Sequence, residues 1–283
     1  MSSSSESAEA RPRRPKPLAL SASRAADYRQ CPLVYRFRAI DKLPEPKTRA
    51  QVLGTTVHTA LENLYALPQE KRTAAEAKRL AEAEAETAVA EGGIAADVIA
   101  PEDTARFRSD AAGLVRGLYV VEDPTRFSPH SCEDYLLTAT AGGTPLHGFV
   151  DRIDIAPTGE VRVVDYKTGK LPRPGYESGP LAQMRFYALM YFLLQKEIPA
   201  QLKLIYLKAG SSLTLSPDEH MLSRTADELD SLWEQIERDG ENGTFEPKTS
   251  KLCGWCDHKA HCPAFGGEAP EYPGWPGTRK VNA

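Results

Sequence analysis

VRVVDYKTGK (Val161–Lys170) decides the fold of this chain, read together with LHGFVDRIDI (Leu146–Ile155) just before it. Both stretches are rich in Val, Ile, Phe and Tyr, and Ala156-Pro157-Thr158-Gly159 between them is a turn signal, so they read as a strand hairpin. Alternation along a strand puts Asp165 and Lys167 on one side and Val164 and Tyr166 on the other. Asp151 shares its parity with Phe149, Ile153 and Ile155, which predicts an inward-facing carboxylate on an apolar face. Three charged side chains are thereby expected to converge on a buried surface, where charge without a partner is expensive. Two arrangements supply partners. Either a divalent cation holds the carboxylates while the lysine faces an anionic substrate, or Asp165 and Lys167 form a plain buried ion pair and Asp151 caps a turn. The two strands alone leave both open.

Working outward, the 283 residues suffice for one large domain or two small ones, and 41% hydrophobic with 26% charged residues is ordinary for a soluble globular protein. No run approaches the apolar length of a membrane span, and MSSSSESAEARPRRPKP has no apolar segment of a secretory signal, so a cytoplasmic location is expected. The net charge of -4 does not advertise a nucleic-acid binder. Yet residues 11–49 carry eleven Lys or Arg against three Asp or Glu, either a basic segment able to steer a polyanion or, as composition alone favours, solvated surface charge.

Upstream of the hairpin the pattern is helical. Ser21–Arg38 reads as a helix interrupted at Pro32, and Leu53–Leu67 places Leu53, Val57, Leu61 and Leu64 on one face with His58 beside it. Glu62, one turn on, reads as a solvated face. Arg72–Glu91 reads as a solvated, charged helix and Pro101–Tyr119 as another. Asp134–Ala139 adds a third strand to the hairpin, with Gly142-Gly143 as its turn. Downstream come an apolar helix over Leu181–Lys196, a strand over Gln201–Leu207 and an amphipathic helix over Pro217–Asp239. The expected class is α+β: a mixed central sheet flanked by helices, with a helical N-terminal part and a C-terminal cysteine-rich lobe. Its expected bounds are a disordered basic tail over 1–19, a single domain over 20–265 and a flexible tail over 266–283. Gly169-Lys170 lacks the upstream glycine of a phosphate-binding loop, so no ATPase site is expected.

The five cysteines are Cys31, Cys132, Cys253, Cys256 and Cys262, an odd number that argues against a disulfide framework. Cys253-x2-Cys256-x5-Cys262-Pro is the sharpest spacing in the chain. The close pair brings two thiolates to one metal, and the third reaches the same object. The fourth ligand comes from Cys31, Cys132, His258 or His261. Spacing alone leaves zinc or an iron–sulfur cluster, with zinc slightly favoured.

Taken together, the segments YRQCP, GTTVHTALE, GFVDRIDI, VVDYKTG, QMRFYALMY and CGWCDHKAHCP occur in the order seen in RecB-type members of the PD-(D/E)xK nuclease superfamily. The chain resembles that family from about Leu20 to Phe265, in particular the subgroup with a four-cysteine iron–sulfur cluster that includes the AddB nuclease domain and the CRISPR adaptation nucleases. Val150 stands where many relatives have proline, and Asp165 where many have glutamate. The resemblance implies a restriction-endonuclease-like core and an Mg²⁺- or Mn²⁺-dependent deoxyribonuclease, an exonuclease on single strands or strand ends in DNA repair or recombination. It implies metal ligation by His58, Asp151, Asp165 and the Tyr166 carbonyl, with Lys167, Gln183 and Tyr187 completing the catalytic set. It further implies a [4Fe–4S] cluster on Cys31, Cys253, Cys256 and Cys262, leaving Cys132 a structural thiol. DNA is the implied partner and a helicase a possible one. The competing expectation is a non-catalytic DNA-binding or scaffold subunit of a helicase–nuclease complex.

Overall fold

The computed structural model describes residues 17–173 and 175–281. The expected tail over residues 1–16 lies outside the described residues. Leu18 and Ala19, placed in that tail from sequence, are buried.

The chain begins with helices whose starts are written in the sequence. Ser21 accepts the Arg24 N–H and opens α1 (Ala22–Gln30). Pro32 cannot continue that helix but suits the first turn of α2 (Pro32–Tyr35), after which the chain makes a π-helical turn over Arg36–Asp41. Thr48 and Gln51 form a capping box at the start of α3 (Arg49–Ala66), and Thr73 caps α4 (Ala74–Val89). Then follow α5 (Thr104–Arg116) and the single turn α6 (Leu118–Val121).

Strands β1 (Ser131–Ala139), β2 (Pro145–Ile155) and β3 (Val161–Lys167) form an antiparallel meander. Helix α7 (Ser178–Gln195) crosses over to β4 (Gln201–Tyr206), which pairs parallel to β3. β5 (Ser211–Leu215) closes the far edge, antiparallel to β4, and α8 (Glu219–Asn242) follows. The result is an α+β fold with one mixed five-stranded sheet in the order β1-β2-β3-β4-β5. One apolar layer unites α1, α2, α7 and α8 with one side of the sheet; the other unites α3, α4 and α5 with Val164, Tyr166 and Ile205.

Three sequence expectations need correction. First, α4 is not merely solvated: Ala77, Ala81, Ala85 and Ala88 are buried in the second layer, a small-residue stripe that the surrounding charges hide from a composition reading. Second, residues 266–281 are no flexible tail. They fold back over α8, with the Trp275 ring 6.1 Å from that of Trp233 and the Tyr272 hydroxyl donating to the Gly240 carbonyl at 2.6 Å. Leu18 N–H donates to Gly277 O at 2.8 Å, and Arg279 N–H to Leu18 O at 2.7 Å. Two half-buried aromatic rings packed on the core outweigh the Gly and Pro content that reads as a tail. Third, three arginines of the basic segment are not free: Arg36 pairs with Asp41 at 3.0 Å and Arg38 with Glu45 at 2.7 Å, both acids of the same segment, and Arg49 reaches Asp110 outside it at 2.7 Å.

Candidate active site

The alternation expected for β2 breaks at Asp151. Leu146 and Val150 face the α7 layer, whereas further along it is Ile153 that does so; Phe149 and Ile155 are exposed. The face expected to be apolar and inward is thus inward only at Ile153. The break has a counterpart on β1. Cys132 pairs with Arg152 and Asp134 with Val150, but the step between them, Glu133 opposite Asp151, is missing from the ladder. Glu133 has φ 50°, a left-handed conformation uncommon for a residue with a side chain. Here both strands change faces, and two carboxylates turn into one cleft.

Packing from both layers completes that cleft. The Tyr166 N–H donates to Asp151 Oδ2 at 2.6 Å, tying β3 to the distorted step. From α3, His58 reaches in, its Nδ1 3.3 Å from Asp151 Oδ1 and its Nε2 3.1 Å from the Tyr166 carbonyl oxygen. Lys167 Nζ lies 2.7 Å from Asp165 Oδ2 and donates to Gln183 Oε1 at 2.7 Å. Gln183 Nε2 sits 3.1 Å from both Asp165 Oδ1 and the Tyr187 hydroxyl. Gln183 therefore fixes the ammonium and the carboxylate together, and Tyr187 holds Gln183. Tyr187 also explains a glycine: a Cβ on Gly148 would stand 3.0 Å from its ring. His58, Asp151, Asp165, Tyr166, Lys167, Gln183 and Tyr187 all line one open cleft. Glu62 is exposed, as expected.

The floor of the cleft is anchored by charge that the sequence did not advertise. Arg152 is fully buried on the far side of β2. It donates to the Tyr65 and Tyr166 hydroxyls, each at 2.6 Å, and pairs with Glu122 at 2.5 Å and Asp154 at 2.9 Å. Arg162 and Lys203 balance the remaining charge of Asp154 and Glu122. Tyr166 is thus clamped by its hydroxyl while its backbone serves the cleft.

Electrostatically the cleft holds too much negative charge for its burial. Burial, and then the neighbouring Asp151, push Asp165 up to about 6 against the opposing pull of Lys167. The same two causes push Glu133 up to about 7. Burial would lower His58, but Asp151, Asp165 and Glu133 overcome it and raise the imidazole to about 9. Ligand atoms of His58, Glu133 and Asp151 lie within 4.8 Å of one another. An oxygen-rich donor set with one imidazole, short of positive charge, suits a hard divalent cation. Nothing in the sequence places Glu133 here, because a strand register predicts neither a skipped step nor a positive φ.

A second cavity, between α1–α2 and the C-terminal turns, is lined by Cys31, Cys253, Cys256 and Cys262. Backbone N–H groups of Lys248 and Ser250 donate to the Cys31 and Cys253 sulfurs, each at 3.3 Å. His258 lines the same cavity, with its Nε2 against Glu45 at 2.8 Å, and His261 stands against the Phe37 ring. Cys132 lies apart, packed on the α3–α5 layer.

A mixed sheet carrying clustered carboxylates and a lysine on adjacent strands is the frame of a nuclease core. The chain belongs to the PD-(D/E)XK nuclease superfamily, whose family model matches residues 19–263. Among solved structures, it is similar to a candidate exonuclease from Eubacterium rectale, with 12% identity and a TM-score of 0.54 over 85% of this chain and 87% of that one, a likeness of fold. The crystal structure of SSO0001 aligns over 75% of this chain and 94% of that one at 18% identity, with a TM-score of 0.36. No curated protein sequence matches the chain. Among the described residues no helix is long and apolar enough to cross a membrane.

Proposed function

We propose that the chain is a divalent-metal-dependent deoxyribonuclease of the RecB type, acting as an exonuclease on single strands or strand ends in DNA repair or recombination. The observation that carries this reading is the convergence of Asp151, Asp165, Lys167 and Gln183 in one open cleft. Asp151, Asp165, the Tyr166 carbonyl and His58 would hold Mg²⁺ or Mn²⁺. When bound, such an ion lowers the pKa of a water and offsets charge on the scissile phosphate.

The protein's own groups supply the rest. Gln183 fixes Lys167, whose ammonium faces the phosphate and stabilises negative charge as it develops, a contribution of about 3–4 kcal/mol at sites of this kind. Tyr187 positions Gln183. The Tyr166 N–H holds Asp151 in one rotamer, which removes reorganisation from the reaction.

The four cysteines around the second cavity would bind a [4Fe–4S] cluster, and the two N–H···S contacts favour thiolates there. The cluster would fasten α1 to the C-terminal turns and take no part in hydrolysis. Its test is Cys253→Ser, expected to lose the brown colour, the bound iron and much of the soluble yield. A colourless, zinc-loaded and active preparation made without oxygen would refute it.

For the nuclease reading, 5′- and 3′-labelled single strands are incubated with Mg²⁺, Mn²⁺ or EDTA. Cleavage should require the ion and disappear in Asp165→Ala, with DNA binding retained. A chain that binds DNA yet cuts nothing under any of these conditions would instead be the non-catalytic module of a larger complex.

A further inference from the structure

The cleft does not end at Asp151. Gly148 faces α7, its missing Cβ directed at Tyr187 and Met190, so His147 and Phe149 project from the opposite side of β2. Tyr135 is the direct cross-strand partner of Phe149, and their rings stand 5.0 Å apart. His147 continues the row, 6.3 Å from Tyr135. Helices α3 to α5 cover this side of the sheet only beyond the skipped step, where Cys132 packs on them. Phe149 is therefore 56% and Tyr135 45% exposed, among the more exposed large apolar side chains of the described residues.

A cross-strand aromatic pair stabilises a hairpin modestly, and that alone would explain one such pair in any sheet. The position of this one asks for more. Phe149 precedes Asp151 by two residues, and both line the same cleft. The row is flanked by cations: the Arg279 guanidinium donates to the Tyr135 hydroxyl at 3.1 Å, and burial together with Arg24 and Arg279 holds the His147 imidazole below its ordinary value. Flat aromatic faces beside guanidinium groups, leading into a phosphate-processing cleft, match an unpaired nucleotide strand, whose bases stack on the rings while its phosphates meet the cations. A duplex keeps its bases inside and cannot use the rings.

We infer that Tyr135 and Phe149 form a stacking platform for the bases of a single strand next to the scissile phosphate, and that this platform selects unpaired over paired substrate. The inference rests on the nuclease reading for the strand's destination, but its test does not need cleavage. Binding of fluorescently labelled single strands, intact or carrying one abasic site at each position in turn, is measured in Ca²⁺ for the full-length protein, for Tyr135→Ala/Phe149→Ala and for Phe149→Trp. One abasic position should weaken the parent about tenfold or more and the alanine variant hardly at all, because stacking is already gone. Phe149→Trp should keep the abasic penalty, and duplex binding should be equal in all three. Equal binding of intact single strands by parent and alanine variant overturns the platform, as does an identical abasic penalty in both. A merely structural aromatic pair would lower the melting temperature of the alanine variant without any dependence on the base. Absence of cleavage by the parent in Mg²⁺ or Mn²⁺ would count against the nuclease reading and leave these binding results interpretable.

Discussion

Asp165→Asn separates a functional carboxylate from a structural ion pair. Asp165 is buried, and its pKa stands at about 6 against an ordinary 3.8. A difference of about two units, at about 1.36 kcal/mol each, makes its charged form cost roughly 3 kcal/mol at pH 8 without a cation. Asparagine has nearly the shape of the protonated acid and carries no charge. Its amide needs partners of its own, so on the order of 1–2 kcal/mol of that cost should return as stability. At about 2–4 °C per kcal/mol for a domain of this size, the variant should melt about 2–8 °C above the parent in EDTA at pH 8. The sign follows from linkage. A carboxyl whose folded pKa is raised contributes stability that is present below its unfolded value and is lost as pH rises through the folded one. The gap between variant and parent should therefore be small near pH 4 and open through pH 6. In the same preparation cleavage should fall by about 10³-fold or more, the scale on which a preorganised charge at a reaction centre is felt. Thermal melts across pH in EDTA, paired with cleavage of a labelled strand, read both effects. A variant that melts below the parent at pH 8 would refute this reasoning, since Asp165 would then be half of a stabilising ion pair with Lys167.

Three further outcomes follow from the same geometry. Gln183→Leu, which removes both contacts to Lys167 and Asp165, should lower kcat by about 10- to 100-fold with KM little changed, checked by steady-state cleavage. Arg152→Met should cost about 3–5 kcal/mol in urea unfolding, because Glu122 and Asp154 would stay buried with less positive charge. Mn²⁺ should raise the melting temperature more at pH 8 than at pH 5.5, where protons on Asp165 and Glu133 oppose the ion; calorimetry at the two pH values checks this.

Most of what positions the site was legible in sequence because it is local. The β2–β3 hairpin, the shared side of Asp165 and Lys167, the turn between Gln183 and Tyr187 and the N-caps each need only a few neighbouring residues. The parts that were not legible depend on events far apart in the chain. Strict alternation gives Asp151 its inward side, and alternation fails there because β1 and β2 change faces at the same step. Glu133 enters the cleft through that distortion. Arg152 reads as a surface charge until Glu122, Asp154 and the Tyr65 and Tyr166 hydroxyls are seen around it. Strand β5, SSLTL, is too polar and short to stand out, and it forms because β4 offers an open edge. Composition reads residues 266–281 as a tail, although Tyr272 and Trp275 are enough to bind the segment to α8.

The most direct test is calorimetric titration of Mn²⁺ into the metal-free protein and into Asp151→Asn, in two buffers of different ionisation enthalpy. The parent should bind the ion with release of protons from the crowded carboxylates and His58, and the variant should lose at least about tenfold in affinity. Equal affinity in parent and variant, or binding with no proton release in either, would contradict a cation site built on Asp151.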